Sequence, residues 1–173
     1  MDATDTTAAR ELLQDSFARI LEHAEDVTEG LTADIADRRI TPNANTIAWL
    51  VWHSARVIDA QLAPIAGVEE SWTADGWYER FGLDLPPEST GFGHDRAEAA
   101  AVHGSDALLI GYFRDVDAMA RRYLDRVTPE ELARVIDDAW DPPVTVAVRL
   151  VSIVDDCAQH LGAAAFLKGA LAS

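Results

Sequence analysis

Asp156 and His160 stand four residues apart in the segment SIVDDCAQHLG, and a third titratable group, His53, stands far upstream in WLVWHSAR. Four residues is one helical turn, so the Asp156 and His160 side chains leave the helix on the same face. An imidazole and a carboxylate placed in this way can act as two ligands to one divalent cation. They can also form a plain core pair in which Asp156 orients the histidine or answers Arg149, two turns earlier on the same seam. Both readings stay open on this helix alone. Burial of a carboxylate without a partner charge, hydrogen bond or metal costs several kcal/mol, so one of these remedies is required.

Pro142 to Leu171 reads as the element that carries this pair, one long helix with Asp141 as its cap and Pro142 in the first turn. Steps of three and four from Val146 give Arg149, Ile153, Asp156, His160, Ala163 and Leu167, a single seam. Leu150, Val154, Cys157, Leu161 and Ala164 flank it, so the helix is expected to be largely buried, with Asp156 and His160 buried together. Asp155 shares its face with Ser152 and Gln159 and reads as solvated surface. Cys157, the one cysteine, projects about 100° from the ligand seam among apolar neighbours, which disfavours a thiolate; it reads as core and not as a nucleophile. Arg149 keeps its charge when buried and offers a fork of donors. It is expected to line a cavity, orienting Asp156 or meeting an anionic substrate group, the alternative being a salt bridge to Asp59 or Asp115.

His53 belongs to a second helix, roughly Asn45 to Ala63, closed by Pro64 and Gly67, with Asn43 and Asn45 as suitable caps. Trp49, Leu50, Val57 and Ala60 lie within about 60° of it, so the imidazole points into a mostly apolar sector. A lone histidine there is a hydrogen-bonded core residue; a second imidazole and a carboxylate in the same small bundle make it a candidate ligand. A first helix starts at Thr6 or Thr7, with the seam Leu13, Phe17, Ile20, Ala24, Val27 and Leu31 and with His23 on its solvent face. A third runs from about Ser105 to Arg126 on the stripe Leu109, Tyr112, Val116, Met119 and Tyr123. Short accessory helices are expected near residues 33–37 and 129–136, the latter capped by Thr128. Between the second and third helices, residues 68–95 form a long loop with Trp72, Trp77, Tyr78 and Phe81. Those aromatics argue against disorder and for packing across one end of the bundle. Arg80 in this loop is a candidate anion contact, or a surface arginine with its stem on aromatics. His94 and His103 have no partner at ligand spacing.

No strand-like alternation of any length appears, which gives an all-α four-helix bundle, a fold that builds its sites from facing helices. The 173 residues, 49% of them hydrophobic, fit one domain over 1–173. A formal net charge of −16 argues against nucleic acid and anionic membrane surfaces as partners. With no signal peptide and no uncharged apolar run of about 18 residues, the protein is expected in the cytoplasm.

The pairing of NTIAWLVWHSAR with the terminal RLVSIVDDCAQHLGAAAFLKG, joined by WYERFG, TGFGH and WDPP, resembles the DinB/YfiT-like superfamily, near its mycothiol-dependent maleylpyruvate isomerase N-terminal domains. The resemblance covers the whole chain. It implies a four-helix bundle with a divalent metal held by one residue of the second helix and two at i and i+4 of the last. These positions are His53, Asp156 and His160 here, so a carboxylate replaces the middle histidine of the common pattern. The small polar residue that often follows HLG is Ala163. Two histidines and a carboxylate leave coordination positions open, as catalytic zinc or nickel sites require. The function expected is a metal-dependent enzyme activating a low-molecular-weight thiol, an S-transferase or isomerase acting on a small electrophile, with Trp49, Arg80 and Arg149 as candidate substrate contacts. The competing class is a non-enzymatic, dimerising bundle with a metal-free polar core network; a homodimer is compatible with either.

Overall fold

Four long helices make the frame of the computed structural model, which describes residues 3–171: α1 (Ala3–Thr28), α3 (Ile47–Ala66), α7 (Asp106–Leu124) and α9 (Val146–Leu171). Each packs on two others in the ring α1, α7, α3, α9. Shorter helices decorate the connections: α2 (Ala33–Ala36), α4 (Ser71–Ala74), α5 (Trp77–Phe81), α6 (Arg96–Ala101) and α8 (Pro129–Ala133). The α1 seam from Phe17 to Leu31 and the α7 stripe from Leu109 to Tyr123 are buried as their periodicity predicts. The first helix begins earlier than Thr6, since the chain is already helical at Ala3.

The central element is α3, buried without a break from Ile47 to Asp59. Its cap is Thr46 and neither asparagine: the Thr46 hydroxyl accepts from the Trp49 N–H at 3.1 Å. The helix continues through Pro64 and stops at Gly67, whose φ of 72° supplies the left-handed closing residue. Proline is tolerated this near the end because only one backbone bond is lost.

The last helix departs from expectation in two ways. It starts at Val146, because the preceding residues fold back as a small hairpin in which β1 (Val135–Asp137) pairs antiparallel with β2 (Val144–Thr145). Pro142, joined to Asp141 by a cis peptide, lies in the hairpin turn, and the Thr145 hydroxyl accepts from Val148 N at 3.3 Å. Strands of two and three residues are too short to show alternation in sequence. The second departure is burial. The stripe Leu150, Ile153, Cys157, Leu161, Ala164 and Leu167 faces the core, whereas Val148, Val151 and Phe166 are exposed. By length and composition alone α9 could cross a membrane; in this fold its apolar stripe is core packing against α1 and α3.

The aromatic segment after α3 is anchored, not draped. Asp59 is fully buried and accepts from the backbone N–H of Ser71 at 3.0 Å, of Trp72 at 2.8 Å and from the Tyr112 hydroxyl at 2.8 Å. Burial lifts its carboxyl above the usual carboxylate range, opposed by these donors and by Arg56. Arg56, also fully buried, donates to Glu70 Oε2 at 2.8 Å and to the Ser89 carbonyl at 3.0 Å. One helix thus grips both ends of the loop. Asp59→Ala would leave Arg56 buried with less compensation and free the start of α4, and should cost about 3–5 kcal/mol in chemical denaturation. A loss under about 1 kcal/mol would show that the anchor is dispensable.

Candidate metal centre

The side chains of His53, Asp156 and His160 converge where α3 faces α9, and one ligand atom of each lies within 4.8 Å of the other two. His53 is fixed first. Its Nδ1 lies 2.6 Å from the Thr90 carbonyl, an acceptor only, so Nδ1 carries the proton and Nε2 presents its lone pair to α9. Burial pulls the His53 pKa below its ordinary value, against the opposing pull of the Thr90 carbonyl, so the ring is neutral near pH 7. The approaches of Asp156 Oδ2 to His53 Nε2, 3.8 Å, and to His160 Nε2, 3.6 Å, are therefore not those of a salt bridge to His53, and both are too long for hydrogen bonds.

Asp156 Oδ2 is inaccessible to water and has no hydrogen-bond partner, although the Asp156 side chain as a whole is 41% exposed. The pair on α9 is thus not deeply buried. It sits at the rim of the core, beside the apolar stripe that does face inward, with one carboxylate oxygen turned in. An orphaned carboxylate oxygen between two imidazole nitrogens fits a divalent cation: it needs a positive partner, and two nitrogens and an oxygen form the donor set of sites that retain open positions.

A second layer holds the first. Trp49 stacks on His53 with ring centroids 4.5 Å apart and meets His160 edge-on at 5.8 Å. Its Nε1 donates to His94 Nδ1 at 3.2 Å, and His94 Nε2 lies 2.6 Å from the Ser89 hydroxyl. His94, unpaired in the sequence reading, is therefore a member of this layer, and its partner 45 residues away gives no spacing signal. Gly91 fits closely between them. Its φ is +96°, and a Cβ there would lie 2.5 Å from His53 Nδ1 and 3.1 Å from the Trp49 ring.

The remaining candidates lie elsewhere. Arg80 covers the Trp77 ring at 4.3 Å and donates to the Asp75 carbonyl, with no contact to the triad. Arg149 pairs with neither Asp59 nor Asp115, which serve Tyr112 and Trp77 instead; it donates to Gln61 Oε1 at 3.1 Å. Cys157 is fully buried, its Sγ 3.5 Å from the Ser54 carbonyl, and burial pushes its thiol far above the ordinary value. Ala163 and His23 are exposed. A more apolar recess of about 550 Å³ between α1 and α9, lined by His23, Val27 and Leu161 among others, opens on the opposite face of α9 and holds none of the three ligands.

Gly91→Ala should misplace His53, because the new methyl requires both a strained φ and displacement of the imidazole. The expected result is a loss of about 1–3 kcal/mol in stability with a changed His53 ring environment by NMR, while Gly93→Ala, where a Cβ meets open space, leaves that environment unchanged. Equal ring shifts in both variants would contradict the close fit.

Comparison with known proteins places this chain in a family. The family model described as mycothiol-S-transferase matches residues 12–173. A crystal structure of a conserved protein from Enterococcus faecalis superposes with a TM-score of 0.85 at 34% identity, covering 97% of this chain and 96% of that one. No curated protein matches the chain. The chain belongs to the mycothiol S-transferase family, within the DinB-like four-helix-bundle superfamily.

Proposed function

We propose that this protein is a metal-dependent S-transferase that joins a low-molecular-weight thiol of the mycothiol type to a small electrophile. The observation that carries the metal dependence is the buried, unpartnered Asp156 Oδ2 between the two imidazoles. His53 Nε2, Asp156 Oδ2 and His160 Nε2 would hold one divalent cation, zinc or nickel being best suited to this donor set. When bound, such a cation lowers the pKa of a thiol and stabilises its thiolate.

The chain's own residues supply the rest. Thr90 keeps the His53 proton on Nδ1, so the ligating nitrogen needs no deprotonation. Trp49 gives an apolar wall beside both imidazoles, suited to excluding water from a thiolate and to packing an electrophile. Cys157 is sealed in the core, so the reacting sulfur comes from outside the chain. The net charge of −16 supports a small-molecule role without nucleic acid, and we place the activity in the cytoplasm.

Protein purified without added metal should contain about one equivalent per chain, and His160→Ala should weaken binding by about a hundredfold or more, since loss of even supporting groups costs about 10–100-fold. Thiol-dependent conjugation should survive in Cys157→Ala and vanish in His53→Ala. Equal metal contents in wild type and His160→Ala would return the triad to a metal-free core network, and activity abolished by Cys157→Ala in folded, metal-loaded protein would overturn the external-thiol reading.

A further inference from the structure

Arg149 stands seven residues before Asp156 on α9, and seven residues of helix turn through nearly two full turns, so the two side chains leave the same face about 10 Å apart. On α3, Gln61 stands eight residues beyond His53, about 12 Å along the helix. The helices run antiparallel, and their contacts form successive rungs: His53 with Asp156 and His160, Ser54 with Cys157, Gln61 with Arg149. The seam that holds the triad therefore continues to Arg149, passing Val57 and Ala60 on one side and Ile153 on the other.

At that end lies a recess of about 460 Å³ lined by Gln61, Ile65, Arg134, Ile136 and Arg149 among others. Two guanidinium groups face one concavity in a chain with 30 acidic and 14 basic residues. Arg19, Arg38, Arg56, Arg114, Arg121 and Arg134 all have carboxylate partners. Arg149 has none among the described residues: its hydrogen bond goes to a neutral amide, and the remaining donors of its fork are left to the recess. Arg134, held by Glu131 and by the Ile65 carbonyl at 3.3 Å, fixes the opposite wall. Among the described residues Arg10, Arg39, Arg80 and Arg126 also lack a carboxylate but donate to backbone carbonyls, and Arg96 donates to Asn43. Arg149 is half-buried, donates to a side-chain amide and lines a recess that it shares with a second arginine, which suits it to an anion that comes and goes.

We propose that the Arg149 recess is a specificity subsite for a carboxylate carried by one of the two S-transfer substrates, about 10 Å from its reacting centre. The proposal rests on the triad as the reacting centre. It makes the substrate class a small molecule with its reactive group at one end and an anion at the other, laid along the outer edge of the α3–α9 seam beside the half-buried Ala60.

The test is a molecular ruler. Metal-loaded protein is titrated by calorimetry with ω-mercaptoalkanoates of increasing chain length and with the uncharged ω-mercaptoalcohols of matching length. The carboxylates should tighten to an optimum at a chain spanning about 10 Å, there exceeding the alcohol by about tenfold, the scale of one charge-assisted contact. Arg149→Met should abolish that advantage and leave the shortest thiols unchanged. A carboxylate advantage that is absent, independent of length, or retained in Arg149→Met overturns the subsite. A second arm separates this outcome from failure of the triad: octanoate is added to metal-free protein and the Arg149 side-chain N–H signal is followed by NMR. Octanoate binding that shifts this signal, with no thiol binding in the first arm, keeps the anion site and rejects the metal reading; no shift at Arg149 and no ruler optimum reject the anion site itself.

Discussion

The hydrogen bond between His53 Nδ1 and the Thr90 carbonyl, 2.6 Å long, joins the bundle to its longest loop and decides what the site can do. A free histidine in an apolar sector has two tautomers and two ring orientations. The carbonyl removes that choice and turns Nε2 towards α9. The carbonyl is itself held, because Arg56, three residues along α3, binds the adjacent Ser89 carbonyl, and Asp59, three further on, binds the first turn of α4. His53, Arg56 and Asp59 occupy one face of one helix and fasten both ends of the loop. The aromatic cluster of Trp72, Trp77, Phe81 and Tyr112 fills the space beneath.

On this frame the unpartnered Asp156 oxygen stands out. Among the described residues the other buried side-chain atoms without a partner are nitrogens, on Arg10, Trp52, Arg56 and Trp72, whereas the buried Asp59 carboxylate has three donors. Asp156 Oδ2 has two nitrogens near it but none within hydrogen-bonding distance, and a fold that satisfies Asp59 so fully could have satisfied it too. The cost of leaving it unpaired is offset if a cation occupies the space. The same seam continues to Arg149, which has no carboxylate partner among the described residues, and so gives the proposed site a direction, from a centre for a thiolate to a recess for an anion.

The sequence made the frame legible where periodicity is long: the α1 seam and the α7 stripe extend over many turns, and the sector of α3 around His53 is mostly apolar because the helix is central. The i, i+4 spacing of Asp156 and His160 was legible for the same reason. Burial on α9 was less so. A seam stepped from Val146 through Arg149 differs by only a fraction of a turn from the stripe that faces the core, and which of the two turns inward is set by the neighbours of α9, not by α9 itself. The β1–β2 hairpin was invisible because its strands are shorter than any period. Thr90, Gly91 and His94 were illegible because their partners lie across loop closure, where a carbonyl, a missing Cβ and a ring nitrogen leave no pattern in the chain. Arg80 was ambiguous in sequence between an anion contact and a stem packed on aromatics; Trp77 accounts for its place.

X-ray absorption at the metal edge of protein as purified tests the central claim most directly, since it reads the atoms around the cation without substrate. Coordination by two imidazole nitrogens and one carboxylate oxygen at about 2.0–2.2 Å, completed by light atoms from solvent, is the predicted result. A sulfur neighbour at about 2.3 Å in the absence of added thiol, or an imidazole signal unchanged in His53→Ala, would contradict it.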